Sequence, residues 1–187
     1  VAAFRRLIRP NTVMIVCTMA SNVVGYRMPI ERLAMLAKQH GLIFVVDAAQ
    51  AAGTMPIDLR EIPIDFLCMP GHKGLYGPTG TGILIVGSGI RLHPLTEGGT
   101  GSRSAEYDMP EELPDRLESG TVNTVGIAGL LAGVEFDKSK TPMALWRAEM
   151  GMTGALYDGL SHIPGVILYT PRPEVGQYAP VVSFNLK

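Results

Sequence analysis

Two apolar runs separated by one amphipathic stretch constrain this chain most. Residues 12–18 (TVMIVCT) are rich in β-branched side chains and apolar on both alternations, as a strand buried on both faces of a parallel sheet should be. A polar loop with one glycine, residues 20–27, follows. Pro29 fits the first helical position, where its missing N–H leaves no hydrogen bond unmade. Ile30, Leu33, Ala34, Leu36 and Ala37 recur at helical spacing, and Gly41 supplies a C-terminal stop. Residues 42–46 (LIFVV) read as the next buried strand. Residues 12–47 are therefore one β-α-β unit, and the crossover rule makes its two strands parallel. An α/β fold follows.

The rest of the chain extends that unit. Residues 64–69 predict a third strand, and residues 82–86 (GILIV) a fourth that returns from a glycine-rich loop. Residues 96–104 (TEGGTGSRS) and the proline-rich, acidic residues 108–115 lack any period and read as surface loops or lids. A helix is expected from Asn123 or Thr124, with Ile127, Leu130, Leu131 and Val134 apolar. Gly126, Gly129 and Gly133 on it predict close packing on a sheet. The polar residues 137–141 (DKSKT) read as a hinge. Thr141-Pro142 starts a long helix marked by Leu145, Glu149, Met152, Leu156, Leu160 and Ile163. Residues 165–170 and 181–186 are two further strand candidates. The expected division is a parallel-sheet large domain over 1–140 and the start of a smaller α+β domain over 141–187. The opening at Val1, in what reads as the tail of a helix over 1–8, predicts more chain upstream.

Composition narrows the function classes. The formal net charge is −1 over 187 residues, which gives no basic patch for a phosphate backbone, so nucleic acid is not an expected partner. No apolar run has the length of a bilayer span, and the N-terminus lacks a signal peptide's apolar stretch. Cys17 and Cys68 both fall inside strand candidates, so they read as core residues rather than a disulfide framework. A reducing cytoplasm is the expected compartment. No metal-ligand spacing stands out.

The chemistry centres on residues 69–82 (MPGHKGLYGPTGTG). Its glycines let backbone approach a ligand closely, and the loop follows a buried strand, where open α/β sheets place ligands. It is not a Walker A loop, because no Gly-Lys-Ser/Thr closes the spacer, and not a dinucleotide fingerprint, because a strand follows it. Lys73 is either a solvated loop lysine or a Schiff-base lysine, which must be held in place with its amine free. Asp47 ends a run of five apolar residues, so its carboxylate needs water, a cap to make, or a cationic partner. Lys73, Asp47 and Gln50 fit convergence on one cofactor, pyridoxal 5'-phosphate. There Asp47 would keep the ring nitrogen protonated, and Gln50 would donate to the phenolic oxygen. His72 is a phosphate or ring-stacking candidate as well as a plain structural histidine. Asn22, after the first strand, is at a comparable carboxyl-end position and is a candidate to face the substrate, and Thr121 lies near an expected helix N-terminus suited to phosphate.

Four segments in order, residues 21–25 (SNVVG), 46–53 (VDAAQAAG), 71–78 (GHKGLYGP) and 118–123 (ESGTVN), resemble the class V aminotransferase family of fold-type I pyridoxal-phosphate enzymes. The likeness is to its cysteine desulfurase and selenocysteine lyase branch. The resemblance implies that Lys73 forms the Schiff base, Asp47 pairs with the pyridinium nitrogen, Gln50 meets the phenolic oxygen and His72 the phosphate. It places Asn22 near the substrate carboxylate and Thr121 at the phosphate of a neighbouring subunit in a homodimer. Pro70 stands where many members carry Ser or Thr, which removes one hydroxyl contact. The implied reaction takes sulfur from L-cysteine, leaving alanine, with Lys73 as the base and a sulfur-acceptor protein downstream. Transamination, or another lyase reaction, uses the same visible residues. A non-catalytic phosphate- or nucleotide-binding module is the alternative of a different class. The phosphate loop, ring-stacking residue, substrate arginine and sulfur-accepting cysteine of the family have no match in residues 1–187. Weak or no cofactor retention and no turnover are therefore expected of these residues alone.

Overall fold

A computed structural model describes residues 1–187. Its elements run α1 (Ala2–Leu7), β1 (Met14–Thr18), α2 (Ile30–Gln39), β2 (Ile43–Asp47), β3 (Phe66–Pro70), β4 (Gly82–Val86), α3 (Thr124–Ser139), α4 (Pro142–Ser161), β5 (Val166–Leu168) and β6 (Phe184–Leu186). One sheet has the order β1-β2-β3-β4, and β5 and β6 form an antiparallel pair apart from it. β1, β2 and β3 are parallel, while β4 returns antiparallel to β3, pairing Pro70 with Gly82.

α2 packs because its apolar face is continuous. Ile30, Leu33, Ala34, Leu36 and Ala37 are all buried, in one core with Phe44 and Val46 from β2 and Ile15 from β1. Each large side chain there contributes about 1.5–3 kcal/mol on leaving water. The opposite face of the sheet differs from expectation. Met14 and Val16 of β1 remain 45% and 59% exposed, and Leu84 of β4 48%. The apolar character of β1 on both alternations predicted two covered faces, but α2 covers only one.

Three boundaries also shift. The third strand begins at Phe66 rather than residue 64, because the Asp65 carboxylate accepts the Phe44 N–H at 2.7 Å and takes the ladder's place there. The hinge read over 137–141 is mostly helix. α3 runs through Ser139, and the break falls at Lys140 and Thr141, whose hydroxyl accepts the Ala144 N–H at 3.2 Å to start α4. α4 also turns a different face inward. Trp146, Met150, Thr153 and Gly154 are buried, whereas Met152, Leu156 and Ile163 lie open. The Trp146 indole fixes that rotation by donating to the Tyr178 carbonyl at 2.8 Å.

After α4 the chain returns to the main sheet. Arg27 N–H donates to Gln177 O at 2.8 Å and Ala179 N–H to Gly25 O at 2.7 Å. Tyr26 and Tyr178 meet edge to face with ring centroids 5.9 Å apart. The loop that carries Asn22 is thereby tied to residues 177–179. No helix is long and apolar enough to cross a membrane.

Candidate active site

The parallel register sets the candidate residues at one edge of the sheet. Thr18 aligns with Asp47, so β1 and β2 end level, and Asp47 aligns with Cys68, beyond which β3 continues to Pro70. Asn22, Gln50, and the His72-Lys73 pair lie on the three turns that leave those ends. This is the edge where open α/β sheets take ligands.

Asp47 does two things there. Its Oδ1 accepts the Ala49 N–H at 2.8 Å, which caps the turn that follows. The turn then closes on itself, with Ala52 N–H donating to Ala48 O at 2.9 Å and Met55 N–H to Ala51 O at 2.7 Å. Oδ2 makes no hydrogen bond within the chain. The carboxylate borders a groove of about 620 Å³ shared with Cys68, Met69, Pro70, Leu84 and Glu118. Cys68 is thus not a core residue. It is half-buried at the groove wall, and burial, then the Asp47 charge, push its thiol up from the ordinary range. Cys17, in contrast, is buried and pushed up to about 11 by burial.

The lysine loop is clamped on two sides by backbone contacts. A Cβ on Gly53 would overlap the Gly74 carbonyl, and one on Gly74 would overlap the Ala52 carbonyl. The turn after Asp47 and the loop after β3 can touch only because both positions are glycine. On the other side, a Cβ on Gly133 of α3 would overlap the Leu75 carbonyl, and Gly129 lies against the Pro78 ring. The glycines of α3 seat the helix on the lysine loop, rather than on the sheet as their spacing had suggested. Within the loop, Gly77 N–H donates to Gly71 O at 2.8 Å, Tyr76 N–H to Lys73 O at 2.9 Å, and Gly71 N–H to Thr81 O at 2.9 Å. Tyr76 adopts φ 56°, left-handed for a non-glycine residue. Its ring is held edge to face on Phe136 at 5.2 Å. Lys73 is therefore fixed in position by its neighbours' backbone while its own side chain is exposed.

The structure brings some expected residues together and separates others. Lys73 and Gln50 line one cleft of about 440 Å³, together with Thr54, Tyr76 and Glu149. Asp47 borders a different groove, and no residue lines both. His72 and Asn22 are exposed and line neither. Thr121 borders a third, shallow cavity of about 530 Å³ with Gly99, Thr100 and Ser104. No group of three or more His, Cys, Asp or Glu residues is placed to hold a metal ion.

Glu149 and Thr54 were missed as site residues. The signal for Glu149 was present, as one carboxylate in an otherwise apolar helical stripe. Burial pushes its carboxyl up, and the Thr54 hydroxyl opposes that.

An exposed lysine on a backbone-clamped loop and a strand-end carboxylate on the same sheet edge are residue types suited to an aldehyde cofactor with a basic ring nitrogen. The aminotransferase class-V family model matches residues 1–187, and the chain belongs to that family, whose members are pyridoxal-phosphate enzymes. It is 37% identical over 182 residues to a cysteine desulfurase of Escherichia coli O8 (strain IAI1), covering 94% of this chain and 43% of that protein. It is 36% identical over 172 residues to a probable cysteine desulfurase of Pyrococcus abyssi, covering 89% of this chain and 42% of that protein. Among solved structures, the cysteine desulfurase CsdA from Escherichia coli superposes with a TM-score of 0.86 at 27% identity, over 99% of this chain and 46% of that one. An apo cysteine desulfurase from Thermococcus onnurineus NA1 gives 0.77 at 33% identity, over 92% and 44%. The fold is that of the fold-type I cysteine desulfurases. The chain spans less than half the length of these relatives.

Proposed function

We propose that these residues form part of a pyridoxal-phosphate enzyme that removes sulfur from L-cysteine. The observation that carries the reading is the clamped Lys73 loop at the carboxyl edge of the parallel strands, in a chain whose relatives are named cysteine desulfurases. The residues present fit the cofactor at its ring end. Asp47 has one carboxylate oxygen without a partner in the chain, and Lys73 is in no ion pair. The phosphate end is less complete, because Pro70 offers neither N–H nor hydroxyl.

When bound, pyridoxal phosphate supplies an aldehyde and an electron-withdrawing ring. The chain's own residues do the rest. Asp47 Oδ2 holds the proton on the ring nitrogen by charge pairing. The Gln50 amide donates to the phenolic oxygen, and His72 donates to the phosphate. Asn22 orients the substrate carboxylate, and Lys73 Nζ takes the α-proton as general base. Thr121 reaches the phosphate bound by a neighbouring subunit of a homodimer. A separate acceptor protein receives the sulfur. Two free thiols fit a reducing cytoplasm. Residues 1–140 belong to the cofactor-binding domain and 141–187 begin a smaller one. The cysteine desulfurase names of the relatives favour sulfur removal over transamination.

The test is Lys73→Arg with excess pyridoxal phosphate and borohydride. Excess cofactor offsets the weak retention expected of these residues alone, so the reading predicts a reduced adduct mapped mainly to Lys73 in the parent chain and a large loss of total adduct in the variant, with inorganic phosphate binding unchanged. Equal trapping in both would contradict it and favour a simple phosphate-binding module.

A further inference from the structure

Residues 91–120 lead from β4 to α3, and every hydrogen bond and ion pair they make is with another residue of the same segment. Arg91 pairs with Glu111 at 2.7 Å, Arg103 with Glu112 at 3.3 Å, and the Gly120 N–H donates to Gly99 O at 2.7 Å. No backbone bond ties the segment to the sheet. Pro110 and Arg116 are its only buried residues. The Arg116 guanidinium joins the two limbs of the segment: Nε donates to Leu92 O at 2.7 Å, and Nη1 donates to the Glu111 carboxylate. The limb it holds forms part of the wall of the Asp47 groove, where Leu113, Pro114, Leu117 and Glu118 line the same space as Asp47 and Cys68. That wall buries little, since Leu113 keeps 56% of its surface exposed. Glycines flank the segment at both ends. Gly89 at φ +81° and Gly120 at φ +85° each have nothing within 4 Å of a would-be Cβ, so neither end is packed in place.

We propose that residues 91–120 are a flap that swings from the sheet as one unit and controls entry to the Asp47 groove, with Arg116 as the positioning residue that keeps its two limbs together. Self-contained bonding and little apolar burial give a segment a lower opening free energy than the elements around it. Opening breaks no hydrogen bond to the sheet and separates no ion pair. It exposes only the apolar wall at Leu113 and Leu117, and the free glycines at either end can take up the change in backbone angles. Closed, the flap walls the space beside Asp47 and Cys68. Open, it leaves both to solvent. The inference concerns access to the groove whichever ligand enters, so it does not rest on the pyridoxal-phosphate reading.

Native-state amide exchange on the 187-residue chain tests this, with N-ethylmaleimide labelling of Cys68 and buried Cys17 read in parallel. In the parent chain the Leu117 and Gly120 amides are expected to exchange at least about 10-fold faster than the Met19 and Ala48 amides at the sheet edge. Arg116→Met keeps an apolar stem and removes the guanidinium. It should speed the flap amides and Cys68 labelling about 10-fold further, and leave Met19, Ala48 and Cys17 unchanged. A single exchange rate across flap and sheet in the parent would overturn the proposal, whether or not the variant folds. Unchanged Cys68 labelling in Arg116→Met would overturn it too, because the flap would then not guard the groove. So would an equal rise at Cys17, which would show flap and sheet opening together.

Discussion

Two glycine-rich loops in this chain look alike in sequence and behave oppositely in space. In the lysine loop and its contacts, Gly53, Gly74 and Gly133 each face another backbone so closely that a methyl group would overlap it. In residues 96–104, Gly101 has nothing within 4 Å of its would-be Cβ, and Gly98 and Gly99 meet only ordinary contacts at 3.5 Å. One set of glycines serves close approach, and the other serves only turn geometry. A glycine count therefore does not find a site, whereas glycines that touch across different segments do.

Substitution by alanine should separate the two sets, and the effects should fall in order of backbone overlap. Gly53→Ala combines that overlap with φ +82°, so a loss on the order of 3 kcal/mol is expected in urea unfolding. Gly133→Ala meets the Leu75 carbonyl but gains helix propensity, which offsets about 1 kcal/mol, so a net loss of about 1–2 kcal/mol is expected. Gly101→Ala faces open space at φ +82°, and a loss of at most about 1 kcal/mol is expected from the backbone alone. If Gly101→Ala proves as damaging as Gly53→Ala in the same denaturant series, the distinction between the loops fails.

Much of this was legible in the sequence, for identifiable reasons. The β-α-β unit was readable because α2 has an unbroken apolar face and its two strands are continuous runs. The positions of Lys73, Asp47 and Gln50 at the sheet's carboxyl edge were readable because Asp47 closes β2 and the other two lie on the turns after β2 and β3. What the sequence left open depends on tertiary contact. The inward face of α4 is set by Trp146 bonding to Tyr178, a partner 32 positions away. The start of β3 is set by an aspartate that substitutes for a backbone acceptor across the ladder. The separation of Lys73 from Asp47 into different cavities has no trace in residue spacing. Nor does the glycine contact between the turn after β2 and the lysine loop, since Gly53 and Gly74 are far apart in the chain.

The most direct measurement asks whether that contact selects Lys73 among the chain's lysines. Pyridoxal phosphate is added in excess, reduced with borohydride, and the adducts are mapped by peptide mass in the parent chain and in Gly74→Ala. A clamped, positioned amine predicts an adduct concentrated on Lys73 in the parent, with that preference lost in Gly74→Ala while helix content is retained. Adducts spread evenly over Lys38, Lys73, Lys138, Lys140 and Lys187 in the parent chain would contradict it.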